Sequence, residues 1–469
     1  MICPTQAWYL NNSQTKPPTS GDQLRMTEGQ EIHAHARSLF PEGAFAGDPQ
    51  TTETVLDDSS AKTIFEAAFS TDGYAARADI LQRQANGFRL IEVKSSLHDD
   101  EKINKEHIDD LAYTTMVLRR AGVSIAKTEL YLLSRDYRLG MDDTALFIAT
   151  DHTAAVKKRA NEFLQFWDDV RDSVLGEERP DPTLIPGCKT CEYYGRECLG
   201  KCGVAHPIFE LPRLSKKRFD ELCAAGIQSI DAIPGGFDLT ENQDRVRRAV
   251  QIGKPTRDKK ALIKLLARIR WPALYLDFET VKTALPLWPD ISPHEQIVTQ
   301  YSVHLCSEPG LVQKHSQYLA DSAKDCRREL TERLLTDLQG DGSIVVYSSF
   351  EQTILRGLAV RFPDLAPSLE ACLRRLFDLE RIFKDAYYHP QFHGSTSIKR
   401  ALPVLVPEMT YRDLAIADGD SAMTAFARMM RGECDAAEME SIRRSLLTYC
   451  GQDTLAMVRL HEALVRLVA

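Results

Sequence analysis

Asp79, Glu92 and Lys94 fall on two strand-like runs, YAARADIL and FRLIEVKSS, joined by the turn chemistry of QANG. Glu92 and Lys94 stand two residues apart, so on a strand their side chains share one face while Val93 points into the core. Asp79 on the adjacent strand can address that same face. Two carboxylates and a lysine on one surface suit Mg²⁺ or Mn²⁺: hard oxygen ligands hold the ion, and the ammonium orients or polarises a water. An isolated E-x-K is ordinarily a surface ion pair. The apolar neighbours in RLIEVKSS instead place these charges at the end of a core strand.

A second acidic set lies in the C-terminal part. Asp277 and Glu279 sit in the strand ALYLDFET, again two apart, with Phe278 facing the other way. Near the end of the chain, TYCGQD carries Tyr449 and Asp453 at i and i+4, the spacing that places both on one helix face. A further acid follows the strand GSIVVYSS, either Glu351 in SSFE or Asp378 in RLFDLE.

Cysteines supply a third pattern. Cys188-x2-Cys191-x6-Cys198-x3-Cys202 is dense for a chain expected in a reducing compartment. Four local thiolates could close a tetrahedral Zn²⁺ site, or three could join a distant fourth, Cys3, around an iron–sulfur cluster.

The Asp79, Glu92 and Lys94 set resembles the PD-(D/E)xK nuclease core, specifically its RecB-like branch. Upstream, Gly29-Gln30-Glu31-Ile32-His33 matches that branch's G-x-x-x-H, which implies His33 as a metal ligand. The branch's Q-x-x-x-Y helix is matched by Tyr113, with Asp109 in the glutamine's place. Iron–sulfur members of the branch, among them the RecB-like exonuclease that accompanies CRISPR adaptation, carry one cysteine before the nuclease core and three after it. The resemblance therefore implies a [4Fe–4S] cluster on Cys3, Cys188, Cys191 and Cys198, with Cys202 in surplus. The C-terminal set resembles the RNase H-like DEDD exonucleases of the Y-x-x-x-D subclass. It implies two divalent metals on Asp277, Glu279, Glu351 and Asp453, with Tyr449 orienting the attacking water. That family's N-x-x-F-D reads Ser348-Ser349-Phe350-Glu351 in this chain. The stretch YYHPQFHGSTSIKRALP, with Lys399, resembles the part of such exonucleases that lies beside the substrate; His389 and His393 read as loop residues facing solvent.

These groups need elements to hold them. The expected fold is α/β: a restriction-endonuclease-like domain over residues 1–207, a basic helical linker over 208–268, and an RNase H-like domain over 269–469. Within the linker, LSKKRFDELCAAGIQSIDAIP reads as helix, turn at Gly226, helix, a pattern shared by helix-hairpin-helix grips on phosphate. Between Arg213 and Arg270 there are 14 Lys/Arg against 7 Asp/Glu, whereas the whole chain of 469 residues carries −9. Nucleic acid would therefore meet a local basic surface rather than a basic protein. A composition 43% apolar and 27% charged excludes wholesale disorder. No apolar run approaches the ~20 residues that span a bilayer, and MICPTQAWYLNN lacks a signal pattern, so no membrane partner and a cytoplasmic location are expected. The resulting expectation is a metal-dependent, exonucleolytic nuclease acting on single-stranded DNA or duplex ends in repair, recombination or defence. Other repair or defence proteins are its expected companions. The alternatives are a binding scaffold with a degenerate second centre and an RNA-directed nuclease.

Overall fold

The computed structural model describes residues 3–12, 17–194, 198 and 204–469. The protein is mixed α/β, and its chain divides into two units: Met1–Thr183 with Lys282–Glu295, and Leu184–Val281 with Gln296–Ala469. No helix of the described residues is long and apolar enough to cross a membrane.

The first unit is built on a six-stranded sheet whose spatial order follows the chain: β1 (Ala44–Phe45), β2 (Thr63–Thr71), β3 (Tyr74–Gln84), β4 (Gly87–Leu97), β5 (Ile125–Leu133) and β6 (Phe147–Asp151). β2, β3 and β4 form an antiparallel meander. Asp72 and Gly73 close its first hairpin with φ of 49° and 83°, the left-handed pair that lets a two-residue loop follow the strands' twist. β4 and β5 are parallel, joined through the helix Lys105–Arg120. Alternate residues of the sheet go to opposite cores. Ile64, Leu81, Leu90 and Leu130 pack with Leu111 and Val117 of that helix, while Phe65, Ile80, Ile91 and Tyr131 pack with Ile32 and Ala36. Ile32 and Ala36 belong to the helix Ser20–Ser38, which starts at a capping box: Thr19 accepts from Asp22 N, and Asp22 accepts from Thr19 N. Burial on both faces explains why the adjacent Leu90 and Ile91 of β4 are both apolar and do not alternate with a polar residue.

Residues 282–295 correct the sequence-based boundary at 269. The chain leaves the second unit after Val281, and Ala284 joins the core of Ile32, Phe65 and Ile91. Its amide donates to the buried Glu28 carboxylate at 3.1 Å. His294 Nε2 meets the Ser95 carbonyl at 2.5 Å.

The second unit carries the two-residue β7 (Thr256–Arg257), then β8 (Ala273–Val281), β9 (Ile297–Glu308), β10 (Leu311–Leu319), β11 (Ile344–Val346), β12 (Leu376–Asp378) and β13 (Tyr387–Tyr388). Its main sheet runs β10-β9-β8-β11-β12, antiparallel through β8 and parallel from β8 to β12, and β13 pairs with β7. The long helix Ala436–Arg466, capped by Asp435, lies against β8 and β9.

The segment 208–268 is not a separate linker. Ile208, Phe219, Leu222, Ile230, Val246 and Leu262 share one core with Tyr275, Phe383, Phe392 and Leu464. Amphipathic helices have to bury their apolar stripes, and this core receives them. The second helix expected just after Gly226 is a single 3-10 turn, Ile230–Ala232; the next helix is Glu241–Ile252. Many of the segment's positive charges are paired locally, Lys216 with Asp220, Arg218 with Asp238, and Arg247 and Arg248 with Asp244.

Candidate metal centres

The first centre lies where β2, β3 and β4 meet the helix Ser20–Ser38. The β3–β4 ladder ends at Ile80↔Ile91. One residue further, Asp79 turns its carboxylate to accept the Val93 backbone N–H at 2.7 Å, in place of a strand partner. Glu92 and Lys94 share a face as their spacing requires, with Lys94 Nζ 3.0 Å from Glu92 Oε1 and 2.9 Å from Asp110 Oδ2. His33 Nδ1 lies 3.9 Å from Asp79 and 3.4 Å from Glu66. His33, Glu66 and Asp79 offer ligand atoms within 4.8 Å of one another.

Glu66 and Asp110 are additions that the sequence did not signal. Glu66 sits in β2 with φ +54°, a left-handed residue in a strand interior; Arg37 holds it at 3.2 Å. Asp110 comes from the helix that carries Tyr113 and, where the resembled motif has glutamine, Asp109. Those two point elsewhere: Asp109 pairs with Arg159 at 2.6 Å, and the Tyr113 hydroxyl donates to the Ala75 carbonyl at 2.8 Å.

Electrostatics mark this centre. Burial, then the neighbouring Asp79, pushes the Glu92 carboxyl up to about 7, with Lys94 opposing. Burial also raises Asp79 against the pull of His33. Burial disfavours the Lys94 ammonium, but Glu92 and Asp110 outweigh it and hold its pKa above the ordinary lysine value. Glu92 Oε2 is buried with no hydrogen-bond partner among the described residues, a position whose desolvation nothing yet offsets. A divalent cation fits that need.

The second centre lies between β8 and the helix Ala436–Arg466. Asp277 and Glu279 face the helix, and Phe278 is buried on the far side. Asp277, Glu279 and Asp453 bring carboxylate oxygens within 4.8 Å of one another. Glu351, at the start of the helix Phe350–Arg361, lies near enough to Asp277 for its charge to raise the Asp277 carboxyl. Its Oε2 is buried and unpartnered among the described residues. A cation can relieve the repulsion between such buried carboxylates. Asp378 does not join this cluster through a hydrogen bond; its carboxylate caps Glu380 N at 2.9 Å and only raises Glu351 through space.

Every acid here is pushed toward its neutral form. Burial comes first in each case; Asp453, Glu279 and Glu351 then raise Asp277, and Asp453 lifts Glu279 to about 8. Glu351 reaches about 7. The Tyr411 hydroxyl donates to Asp453 Oδ1 at 2.5 Å, and Tyr449 also favours the charged form of Asp453. Lys399 Nζ donates to the Tyr449 oxygen at 3.1 Å and to the Ala417 carbonyl at 2.9 Å. Tyr411 and the buried Cys450, whose Sγ is 3.8 Å from Asp277 Oδ2, carry no motif that would have flagged them.

The cysteines divide between the units. Cys3 belongs to the first, and Cys188, Cys191 and Cys198 to the second. Cys188 is buried in the 3-10 turn Pro186–Thr190, and the Ile185 amide donates to its sulfur at 3.4 Å, a bond that favours a thiolate. The Cys191 amide donates to the Cys188 carbonyl at 3.3 Å, and that of Cys198 to the Tyr193 carbonyl at 3.1 Å. Cys202 lies outside the described residues.

Among known proteins, a family model described as a domain of unknown function, DUF2779, matches residues 274–397, from β8 to just before Lys399. Curated relatives include the uncharacterized protein MG366 homolog of Mycoplasma pneumoniae, 25% identical over 63% of this chain and 51% of its own length. Another is the uncharacterized protein UU173 of Ureaplasma parvum, 23% identical over 45% of this chain and 33% of its own. The chain thus spans about half the length of these relatives or less. A solved structure titled "Crystal structure of SSO0001" matches 40% of this chain and 91% of its own at 16% identity and a TM-score of 0.15, a likeness too slight to bear on the fold.

Proposed function

We propose that this protein is a Mg²⁺- or Mn²⁺-dependent nuclease acting on DNA, exonucleolytic, with a PD-(D/E)xK centre in the first unit and an RNase H-like DEDD centre in the second. The observation that carries the reading is the four-carboxylate cluster of Asp277, Glu279, Glu351 and Asp453. Asp277, Glu279 and Asp453 bring their oxygens within 4.8 Å of one another and Glu351 acts on Asp277 through its charge, yet no basic side chain hydrogen-bonds any of the four among the described residues. Burying four acids together without a cation is unfavourable, which is why each of their pKa values rises.

A divalent ion held by these carboxylates would supply charge neutralisation at the scissile phosphate and lower the pKa of the attacking water. The chain's own groups supply position. Tyr449 stays protonated, since burial and then Asp453 raise it, so its hydroxyl can hold a water but cannot serve as a base. Lys399 fixes that hydroxyl from the other side. In the first centre Lys94 stays charged and can orient a water or meet a phosphate oxygen. The cysteines are proposed, from their sequence pattern, to hold a [4Fe–4S] cluster or, in its place, Zn²⁺.

Labelled single- and double-stranded DNA and RNA, incubated with purified protein and Mg²⁺ or Mn²⁺, test the reading. Cleavage should occur on DNA and vanish in the Glu92→Ala, Asp277→Ala double variant. Cleavage that persists in the double variant, or none by the wild type on any substrate, would refute it.

A further inference from the structure

Glu210 closes the short 3-10 turn Ile208–Glu210, and its side chain is only 10% exposed. Its two carboxylate oxygens are divided between two histidines from distant parts of the second unit. His206 Nδ1 lies 2.8 Å from Oε2, and His393 Nδ1 lies 2.9 Å from Oε1. The imidazole rings stack with centroids 5.1 Å apart. Ligand atoms of all three residues fall within 4.8 Å of one another.

The backbone is shaped to allow this approach. Gly394 has φ +75°, and a Cβ there would stand 2.5 Å from Glu210 Cα. Only glycine lets the loop come so near. His393 itself is left-handed at φ +50°. On the other side, the Ile230 amide donates to the His206 carbonyl at 2.8 Å and anchors that residue.

Two imidazoles and one carboxylate form a ligand set that zinc takes when it keeps a fourth position for water. With bonds of ~2.0–2.2 Å, tetrahedral ligands around zinc stand roughly 3.3 Å apart, so the two Glu210–histidine spacings need only a small opening. The imidazole pair argues against Mg²⁺ and Ca²⁺, which take oxygen. His393 is 45% exposed at its side chain, which leaves the fourth position open to solvent.

We propose that His206, Glu210 and His393 bind a zinc ion, separate from both acidic centres, that clasps the segment following the cysteine turn to the loop preceding the helix Ile398–Leu405. Zinc needs both Nδ1 atoms stripped of protons. A metal-free clamp, in which Glu210 only accepts hydrogen bonds, needs both protonated.

The test uses the full chain, stripped with a chelator and then loaded with Zn²⁺ alone or with Co²⁺ as a coloured substitute. Wild type is compared with Glu210→Gln and His393→Asn, asparagine being tolerant of a left-handed backbone. Wild type should retain about one zinc more per chain than either variant. The Co²⁺ difference spectrum should show tetrahedral d–d bands without sulfur-to-metal charge transfer, which separates this site from the cysteines. Zinc should raise the wild-type melting temperature more than that of either variant. Equal zinc content in wild type and folded variants, or a difference spectrum dominated by thiolate bands, would overturn the proposal. Should the variants not fold, anomalous scattering at the zinc edge from zinc-loaded wild-type crystals decides: a peak between His206 and His393 supports it, and no peak there refutes it.

Discussion

Lys399 Nζ donates to the Tyr449 hydroxyl oxygen at 3.1 Å, so the tyrosine's own proton must point away from the ammonium. Lys399 thereby sets the direction of a hydroxyl it does not need to ionise. Tyr449→Phe and Lys399→Met should each slow the activity that depends on Asp277 by about one to two orders of magnitude. Asp277→Ala and Asp453→Ala should reduce it to background. Single-turnover rates on a 3′-labelled strand provide the measurement, and an undiminished rate in Tyr449→Phe would remove the tyrosine from the mechanism.

The two centres lie in different units, and their activities should separate. Glu92→Ala or Lys94→Ala should abolish one metal-dependent cleavage and leave 3′-to-5′ trimming, while Asp277→Ala should do the reverse. Nucleic-acid affinity should survive in Glu92→Ala and Asp277→Ala, because neither removes a basic group that meets phosphate. If Glu92→Ala leaves no trimming on any strand, the second unit is a binding module.

Metal-free protein should show an inverted pH dependence. Glu279 and Glu351 have native pKa values of about 8 and about 7, raised from 4.5 by burial first. Between about pH 4.5 and 8 the native state therefore holds protons that the unfolded chain has lost. Their contribution to stability is full below about pH 4.5 and falls as pH rises through that window. Mg²⁺ or Mn²⁺ should raise the melting temperature more at pH 8 than at pH 6, because the ion replaces those protons. Glu351→Gln should flatten the metal-free slope in a melting series across that range.

The cysteine pattern predicts brown protein when purification is anaerobic, with visible absorbance from sulfur-to-iron charge transfer. Cys3→Ser should cost as much iron and as much folding as Cys188→Ser. Stoichiometric zinc without iron, or a Cys3→Ser protein that keeps all its metal while Cys188→Ser loses it, would assign the site to the local cysteines.

Glu28 tests the excursion of residues 282–295 into the first unit. Its buried carboxylate accepts the Ala284 amide. Glu28→Ala should destabilise that unit by about 1–3 kcal/mol, the cost of leaving a buried amide unpaired. Urea melts with a probe confined to the first unit would measure it.

Periodicity made part of this protein legible in advance. Glu92 with Lys94 and Asp277 with Glu279 share a face because a strand repeats every two residues, and Tyr449 with Asp453 because a helix brings i and i+4 together. The same local rules located β3, β4, β8 and β11 from apolar runs between turn residues. They could not separate Glu351 from Asp378, since both follow a short buried strand and differ only in which one folds back onto Asp277. Nor could they find Glu66, Asp110, Tyr411, or the clasp of His206 and His393 on Glu210. These partners are set by long-range packing, where a left-handed residue or a close glycine admits the approach and no sequence period records it. The boundary at 208 failed for a related reason: charge and helical pattern suggested a separate linker, but burial is decided by whether another surface exists to cover an apolar stripe. That surface is the core around Tyr275 and Phe383, formed only after distant parts of the chain have come together.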